Sequence, residues 1–393
     1  MALRRSVGRW LIVAVLLLLA ALETLLLVLV FVPLPRRPLL AAASVLAGSW
    51  STAVLAAAAL PGFLLVRAVW HSRARWAAWI ALVTSAAALL SAFAPYAAAW
   101  RTAYDHGEGL ALADQFAGSN YALEPDRDRS LVYARVGRHR LKMDVWLPPG
   151  SAPRTPRPAV VWVHGGGWES GHRSQTPRWN EWLNDRGYAV FDIEYRLAPR
   201  ATQLQQISDV KCAIGWVRGH AAEYAVDPDR IVLAGTSAGA NLALSAAYTA
   251  RDDRPRASCP ASRDASVRAV VSFYGPTDMA GMIAGQENPG DPAVRRFMGG
   301  SYRSASDSFR LGSPAQLVRA DVPPTLLLHG SHDRIVPVEQ ARELDKRLTA
   351  AGAVHEYVEI PWADHAFDYN WGNWGTQIAR PVLARFLRSH LHS

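Results

Sequence analysis

Residues 230–250, RIVLAGTSAGANLALSAAYTA, decide how the chain is read. The stretch opens as an apolar run of strand type and closes on ANLALSAAYTA, whose small and straight-chain residues suit a helix. Between the two, Gly235-Thr236-Ser237-Ala238-Gly239 matches G-x-S-x-G. A strand-to-helix turn this sharp excludes bulky side chains next to neighbouring backbone, and it lifts the serine oxygen above the sheet at a helix N-terminus. The motif alone is common by chance, and a tight turn whose serine merely caps the helix is the competing reading. The strand before it and the helix after it favour the reactive reading.

Outward from this stretch, from about residue 131, short apolar runs alternate with helical stretches. LKMDVWLP (141–148) alternates as a half-buried strand should, with Leu141, Met143, Val145 and Leu147 on one face. The runs AVVWVH (159–164), YAVFDIEY (188–195), RIVLAG (230–235), RAVVSFYG (268–275), PTLLLHG (324–330) and EYVEIP (356–361) read as buried strands. Helical stretches are predicted at about 175–186, 202–224, 238–250, 338–351 and 376–391. Strands alternating with helices give an α/β fold with a mostly parallel sheet and helices on both faces. Ligands gather at the carboxyl ends of such strands. Residues 276–320 are too long for a plain connection. They read either as a lid or as a surface excursion.

His164-Gly165-Gly166-Gly167-Trp168 follows the strand AVVWV. Consecutive glycines let bare backbone N–H groups approach a substrate oxygen, and with the N–H of Ala238 they can hold an oxyanion, each donor being worth roughly 3–4 kcal/mol of barrier. A flexible turn is the bland alternative. No P-loop or dinucleotide spacing supports phosphate binding. A serine nucleophile needs a base that is itself oriented by an acid. Asp333, after PTLLLHG, and His365, after EYVEIP, fall at strand ends in the chain order Ser, Asp, His; Asp364 and His332 are weaker rivals. His329, His332, Asp333 and His365 lack the pattern of a hydrolytic metal site, so neither metal nor cofactor is expected.

Taken together, GTSAG, HGGGW, EYRLAP (194–199), YGPTD (274–278) and HGSHDRIVP (329–337) resemble the α/β-hydrolases of the hormone-sensitive-lipase and feruloyl-esterase-like type. The resemblance covers roughly residues 121–392. It implies Ser237 as nucleophile, His365 as general base and acid, and Asp333 as its orienting partner. It also implies Gly166, Gly167 and Ala238 as oxyanion donors, with Gly165 bordering them. Two departures stand out: the usual G-D-S-A-G-G is here GTSAGA, with Thr236 and Ala240 substituted, and Arg200 replaces the acidic residue often found after the EYRLAP-like motif. They leave the substrate open rather than the triad.

The N-terminal third reads differently. Residues 10–32, 39–60 and 76–100 are three apolar runs, each as long as the ~20 residues a membrane-crossing helix needs. Pro61-Gly62 leaves the end of the second open, and a signal peptide is a poor fit to the first. Of the net charge of +9, residues 1–109 carry +6, with nine arginines and no lysine. Arg4, Arg5, Arg9, Arg67, Arg73 and Arg75 fall on one side of three spans and Arg36, Arg37 and Arg101 on the other, favouring a cytoplasmic N-terminus and a catalytic domain outside the membrane. Glu23 lies mid-span, read as a protonated side chain facing neighbouring helices. The scattered arginines give no nucleic-acid surface, and one acid alone gives no transport pathway.

The expected layout is therefore a membrane anchor of about three helices over 1–101, a linker over 102–130, and an α/β-hydrolase domain over 131–393. The expected activity is a membrane-anchored serine carboxylesterase on small-molecule or lipid acyl esters. An amidase or formamidase using the same residues, and a non-catalytic tethered binding module, are the alternatives. Cys212 and Cys259 either pair or stay free. Trp362, Phe367, Trp371 and Trp374 line an acyl pocket, rest on a membrane surface, or pack the core.

Overall fold

The computed structural model describes residues 2–31, 70, 75–116, 118–120, 127–150, 155–252, 254–259, 264–284 and 291–391. The chain divides into two compact units, Met1–Leu110 and Ala111–Ser393.

In the first unit, α1 (Ala2–Phe31) packs on α2 (Arg75–Asp105). Val13 and Leu16 are buried with Ala77, Ala78 and Ala81. Small residues on α2 let the helices approach closely, as is common between helices in lipid. Glu23 is buried and accepts a 2.9 Å hydrogen bond from the Ser85 hydroxyl, tying one helix to the other. Outward, Trp10, Leu18, Leu90 and Phe93 are exposed. Among the described residues α2 is the one helix long and apolar enough to cross a membrane; the apolar part of α1, Trp10–Leu25, is shorter. The second predicted run, 39–60 with Pro61 and Gly62, lies outside the described residues.

The second unit is built on an eight-stranded sheet. Its strands are β1 (Arg129–Val136), β2 (His139–Trp146), β3 (Arg157–Val163), β4 (Ala189–Ile193), β5 (Val226–Thr236), β6 (Ala269–Phe273), β7 (Thr325–Gly330) and β8 (His355–Ile360), in the order β1-β2-β4-β3-β5-β6-β7-β8. From β4 onward every pairing is parallel; β2 is antiparallel to both β1 and β4. Every predicted strand is present. β1 is an addition, and its sequence conceals it for a physical reason. A bulge between Val132 and Ala134 breaks the alternation, so the buried pair Tyr133 and Ala134 are consecutive.

The helices of this unit are α3 (Pro177–Asn184), α4 (Gln203–Gly219), α5 (Ala238–Tyr248), α6 (Met279–Ala284), α7 (Asp291–Met298), α8 (Ser306–Leu311), α9 (Glu339–Ala351) and α10 (Trp374–Leu391). Every residue of α5 is buried, which explains its run of Ala and Leu without an exposed polar face. The helix predicted over 202–224 stops at Gly219, and β5 begins at Val226 because that residue already pairs with Arg157. Cys212 on α4 and Cys259 are joined in a disulfide, with Cα atoms 5.6 Å apart. Within 276–320 the described residues form α6, α7, α8 and a short turn at Pro314–Gln316. Of the predicted linker 102–130, α2 takes the start and β1 the end. Between them the Gln377 side chain binds both N–H and C=O of Ala111, and Asn120 N–H donates to Tyr369 O at 2.8 Å.

Candidate active site

At the centre of the parallel sheet, β5 ends at Thr236, α5 begins at Ala238, and Ser237 between them sits at φ +52°, ψ −120°. A side chain at positive φ is strained, and such strain persists only where surrounding structure forces it. Here the forcing is steric. A Cβ on Gly239 would lie 2.2 Å from the Val163 carbonyl oxygen, and one on Gly235 would lie 2.6 Å from the carbonyl of Gly239. The two motif glycines are thus the only residues that fit. The Ser237 N–H donates to Phe273 O at 2.8 Å, fixing the turn onto the neighbouring strand.

The strand-end residues predicted from sequence meet at this serine. His365 Nε2 lies 2.9 Å from Ser237 Oγ, and His365 Nδ1 lies 2.8 Å from Asp333 Oδ2. The other carboxylate oxygen of Asp333 accepts the N–H groups of Ile335 (2.9 Å) and Val336 (2.7 Å); the Asp333 and His365 side chains are buried, and Ser237 is half-buried. Burial alone would raise the Asp333 carboxyl. The charge and N–H of His365, with His329 3.3 Å away, instead hold it well below the usual carboxylate range. For His365 burial opposes the charged form, but Asp333 outweighs it, with Asp364 and Asp368 adding, so its pKa stands above the ordinary imidazole value.

The rivals are placed elsewhere. Asp364 binds Arg334 at 2.9 Å and accepts the His365 N–H, so it shapes the loop without joining the Ser–His–Asp chain. His332 stacks on Trp362 with ring centroids 4.0 Å apart. Of the four aromatics flanking His365, Trp374 and Phe367 are buried, and Trp371 meets Trp179 edge-on at 5.0 Å. Packing accounts for these three.

The glycine loop lies against the elbow: a Cβ on Gly165 would stand 3.3 Å from Ser237 Cβ. Gly166 holds φ +123°, where a Cβ would strike Ser170 O at 2.2 Å, and Gly167 holds φ +60°. The backbone N–H groups of Gly166, Gly167 and Ala238 meet no hydrogen-bond acceptor among the described residues. Segment 276–320 reaches this loop. Phe297 on α7 stacks on Trp168 at 4.4 Å, and Arg296 forms an ion pair with Glu169.

Sequence reasoning missed the support behind the histidine. Tyr274 presents its ring to His365 at 4.7 Å and donates its hydroxyl to Asp368, whose other oxygen accepts the Trp179 indole N–H at 2.8 Å. Burial raises the Asp368 carboxyl, and those two donors work against the rise. Tyr274 was visible inside YGPTD, but nothing in the sequence links it to Asp368. Of the substituted elbow positions, Thr236 is buried with its hydroxyl unpaired among the described residues. The methyl of Ala240 occupies the space beside Gly275, where an added Cβ would come within 2.7 Å of it.

Comparison with known proteins agrees with this architecture. The BD-FAE family model matches residues 143–348. Esterase LipQ of Mycobacterium tuberculosis is 33% identical over 338 residues, which cover 81% of this chain and 78% of LipQ. Esterase LipC of the same organism is 36% identical over 58% of this chain and 57% of its own length. Among solved structures, the propionate-bound thermophilic esterase Est2 of Thermogutta terrifontis matches with a TM-score of 0.56 and 28% identity, covering 66% of this chain and 93% of that one. The form of that esterase phosphonylated by sarin matches with a TM-score of 0.58, again at 28% identity, over 68% of this chain and 97% of that one.

Proposed function

We propose, from the premise that this chain belongs to the BD-FAE family of α/β-hydrolase esterases and is an ester-hydrolysing enzyme, that it works as a membrane-anchored serine carboxylesterase. In this reading Ser237 Oγ attacks the ester carbonyl while His365 Nε2 takes its proton. Asp333 holds the imidazole in the tautomer that presents Nε2 as acceptor, and it stabilises the imidazolium that forms. The N–H groups of Gly166, Gly167 and Ala238 receive the oxyanion. His365 then returns the proton to the leaving alcohol, and water attacks the acyl-serine by the same route. The observation that carries the reading is the unbroken hydrogen-bond chain from Ser237 through His365 to Asp333, at 2.9 and 2.8 Å.

The anchor would comprise the apolar helices of the first 101 residues, with the N-terminus cytoplasmic and the hydrolase domain outside. Exposed Trp10, Leu18, Leu90 and Phe93 support it, since so much apolar surface is costly in water. The Cys212–Cys259 disulfide supports an oxidising compartment for the hydrolase domain. The substrate is a small-molecule or lipid acyl ester.

The test uses the full-length enzyme in detergent, a fluorophosphonate probe and p-nitrophenyl acyl esters. Labelling and turnover should both vanish in Ser237→Ala, with a loss of ~10⁴-fold or more. Undiminished turnover in that variant would sink the mechanism. Hydrolysis of a matched amide in preference to the ester would move the reading to an amidase.

A further inference from the structure

We infer that a cavity of about 520 Å³ beside the glycine loop is a subsite for a negatively charged group on the ester substrate. The inference rests on the serine-esterase reading and names the substrate class that reading leaves open.

The cavity's place in the fold comes first. It is lined by His164, which follows β3, by residues 194–200, which follow β4, and by His139 and Arg140 at the start of β2. Because β2 runs antiparallel to β4, its start lies beside the end of β4. The cavity therefore opens at the carboxyl ends of the strands, the edge where α/β folds bind ligands and where Ser237 sits at the end of β5. Only Gly165 separates its wall at His164 from the oxyanion loop. Its floor is rigid: His164 and Tyr195 stack at 4.4 Å, and the Tyr195 hydroxyl donates to His164 O at 3.0 Å. Burial pushes His164 down to about 4, so that imidazole is neutral.

Charge decides what the cavity accepts. Its two acids are already engaged: Glu169 with Arg296, and Glu194 with Arg173 and the Lys142 N–H. Arg196 is likewise held by Asp209, at 2.8 Å. What remains on the lining is Arg140 and Arg200, both exposed and without an ion-pair partner among the described residues. Around Arg140 the β1–β2 hairpin carries Arg135, Arg138, His139 and Lys142 and no acid between them. Arg135 and Arg140 are direct cross-strand partners. Like charges facing each other across a ladder destabilise the pair. A local cost kept without a structural gain points to a function. Arg200, on the same lining, adds the same sign. Two guanidinium forks with nothing to bind suit a carboxylate or phosphate oxygen pair.

The charge can ride on either half of the ester, so the test has two arms. Full-length enzyme in a nonionic detergent is given p-nitrophenyl butyrate as the neutral reference, p-nitrophenyl hemiglutarate as the acyl-borne anion, and 4-butyryloxybenzoate as the alcohol-borne anion. In Arg140→Glu/Arg200→Glu the anionic-to-neutral ratio of kcat/KM should fall by about tenfold or more on at least one arm, through KM, and rising salt should erode the wild-type ratio. The milder Arg140→Gln/Arg200→Gln pair should fall in between, which guards against a folding defect of the reversed variant. A ratio unchanged within twofold on both arms overturns the subsite. So does an unchanged ratio with weakened binding to anionic vesicles, which would assign these arginines to a membrane surface. Neutral-ester hydrolysis by the unmodified enzyme that does not depend on Ser237 would instead defeat the earlier reading, so the two failures are distinct.

Discussion

The nucleophile and the base are held by opposite means. Around Ser237 the constraint is volume: carbonyl oxygens of β3 and backbone of α5 stand where any side chain at 235 or 239 would go. Around His365 it is polarity: Asp333, Asp364 and Asp368 are each fixed by N–H, O–H or guanidinium donors, and the loop from 361 to 373 is tied down by such bonds. Sterics are all-or-none, because one methyl in the wrong place has no neighbour that can yield. A hydrogen-bonded loop degrades by degrees, since one lost partner costs about 1–3 kcal/mol while the others persist.

That contrast can be broken most forcefully at Gly239. Gly239→Ala should abolish ester hydrolysis to the level of Ser237→Ala and lower the melting temperature, because its Cβ would strike Val163 O. Near-normal kcat/KM with an unshifted melting curve would show that the elbow has more room than its geometry allows. On the base side, Asp333→Asn should cost ~10⁴-fold in kcat with the fold intact, by disfavouring the reactive tautomer. The wild-type pH profile carries the sign. Only neutral His365 can accept the serine proton, and its pKa is raised, so kcat/KM should fall as pH drops through a value above 6.5. In Asp333→Asn that acid limb should move down. A limb left in place would mean that another group titrates there.

Further from the reacting atoms, Asp368→Asn should cost roughly tenfold in kcat/KM and move the limb slightly lower, because it weakens the Tyr274 and Trp179 contacts and removes a charge near His365. A loss as large as that of Asp333→Asn would make Asp368 the true orienting acid. At the small end, His332→Gln should leave kcat/KM within about threefold, its ring stacking on Trp362 and bonding Ser331 and not touching the Ser–His–Asp chain.

The same contrast explains what was legible in the sequence. Gly235, Ser237 and Gly239 are contiguous, and their steric demand is written in adjacent letters. The inner parallel strands β3, β6 and β7 are legible because each is buried on both faces and reads as a nearly uninterrupted apolar run. Asp368, Tyr274 and Trp179 are 94 and 189 residues apart in their contacts, so no local pattern could join them. β1 was hidden by its bulge. The Cys212–Cys259 pair, 47 residues apart, was open on sequence because spacing alone does not fix a Cα separation.

The packing of Ala240 against the α-carbon of Gly275 has a consequence for how this protein can change. One methyl's worth of space is shared between positions 240 and 275, and position 240 has taken it. Gly275→Ala is therefore closed while alanine stands at 240; Ala240→Gly removes that contact, and the Ser272 hydroxyl, 2.8 Å from the added Cβ, must turn away as well. The order of the two steps matters, and the intermediate decides whether the route is passable. A lineage with glycine at 240 meets one obstacle fewer at 275 than this one does.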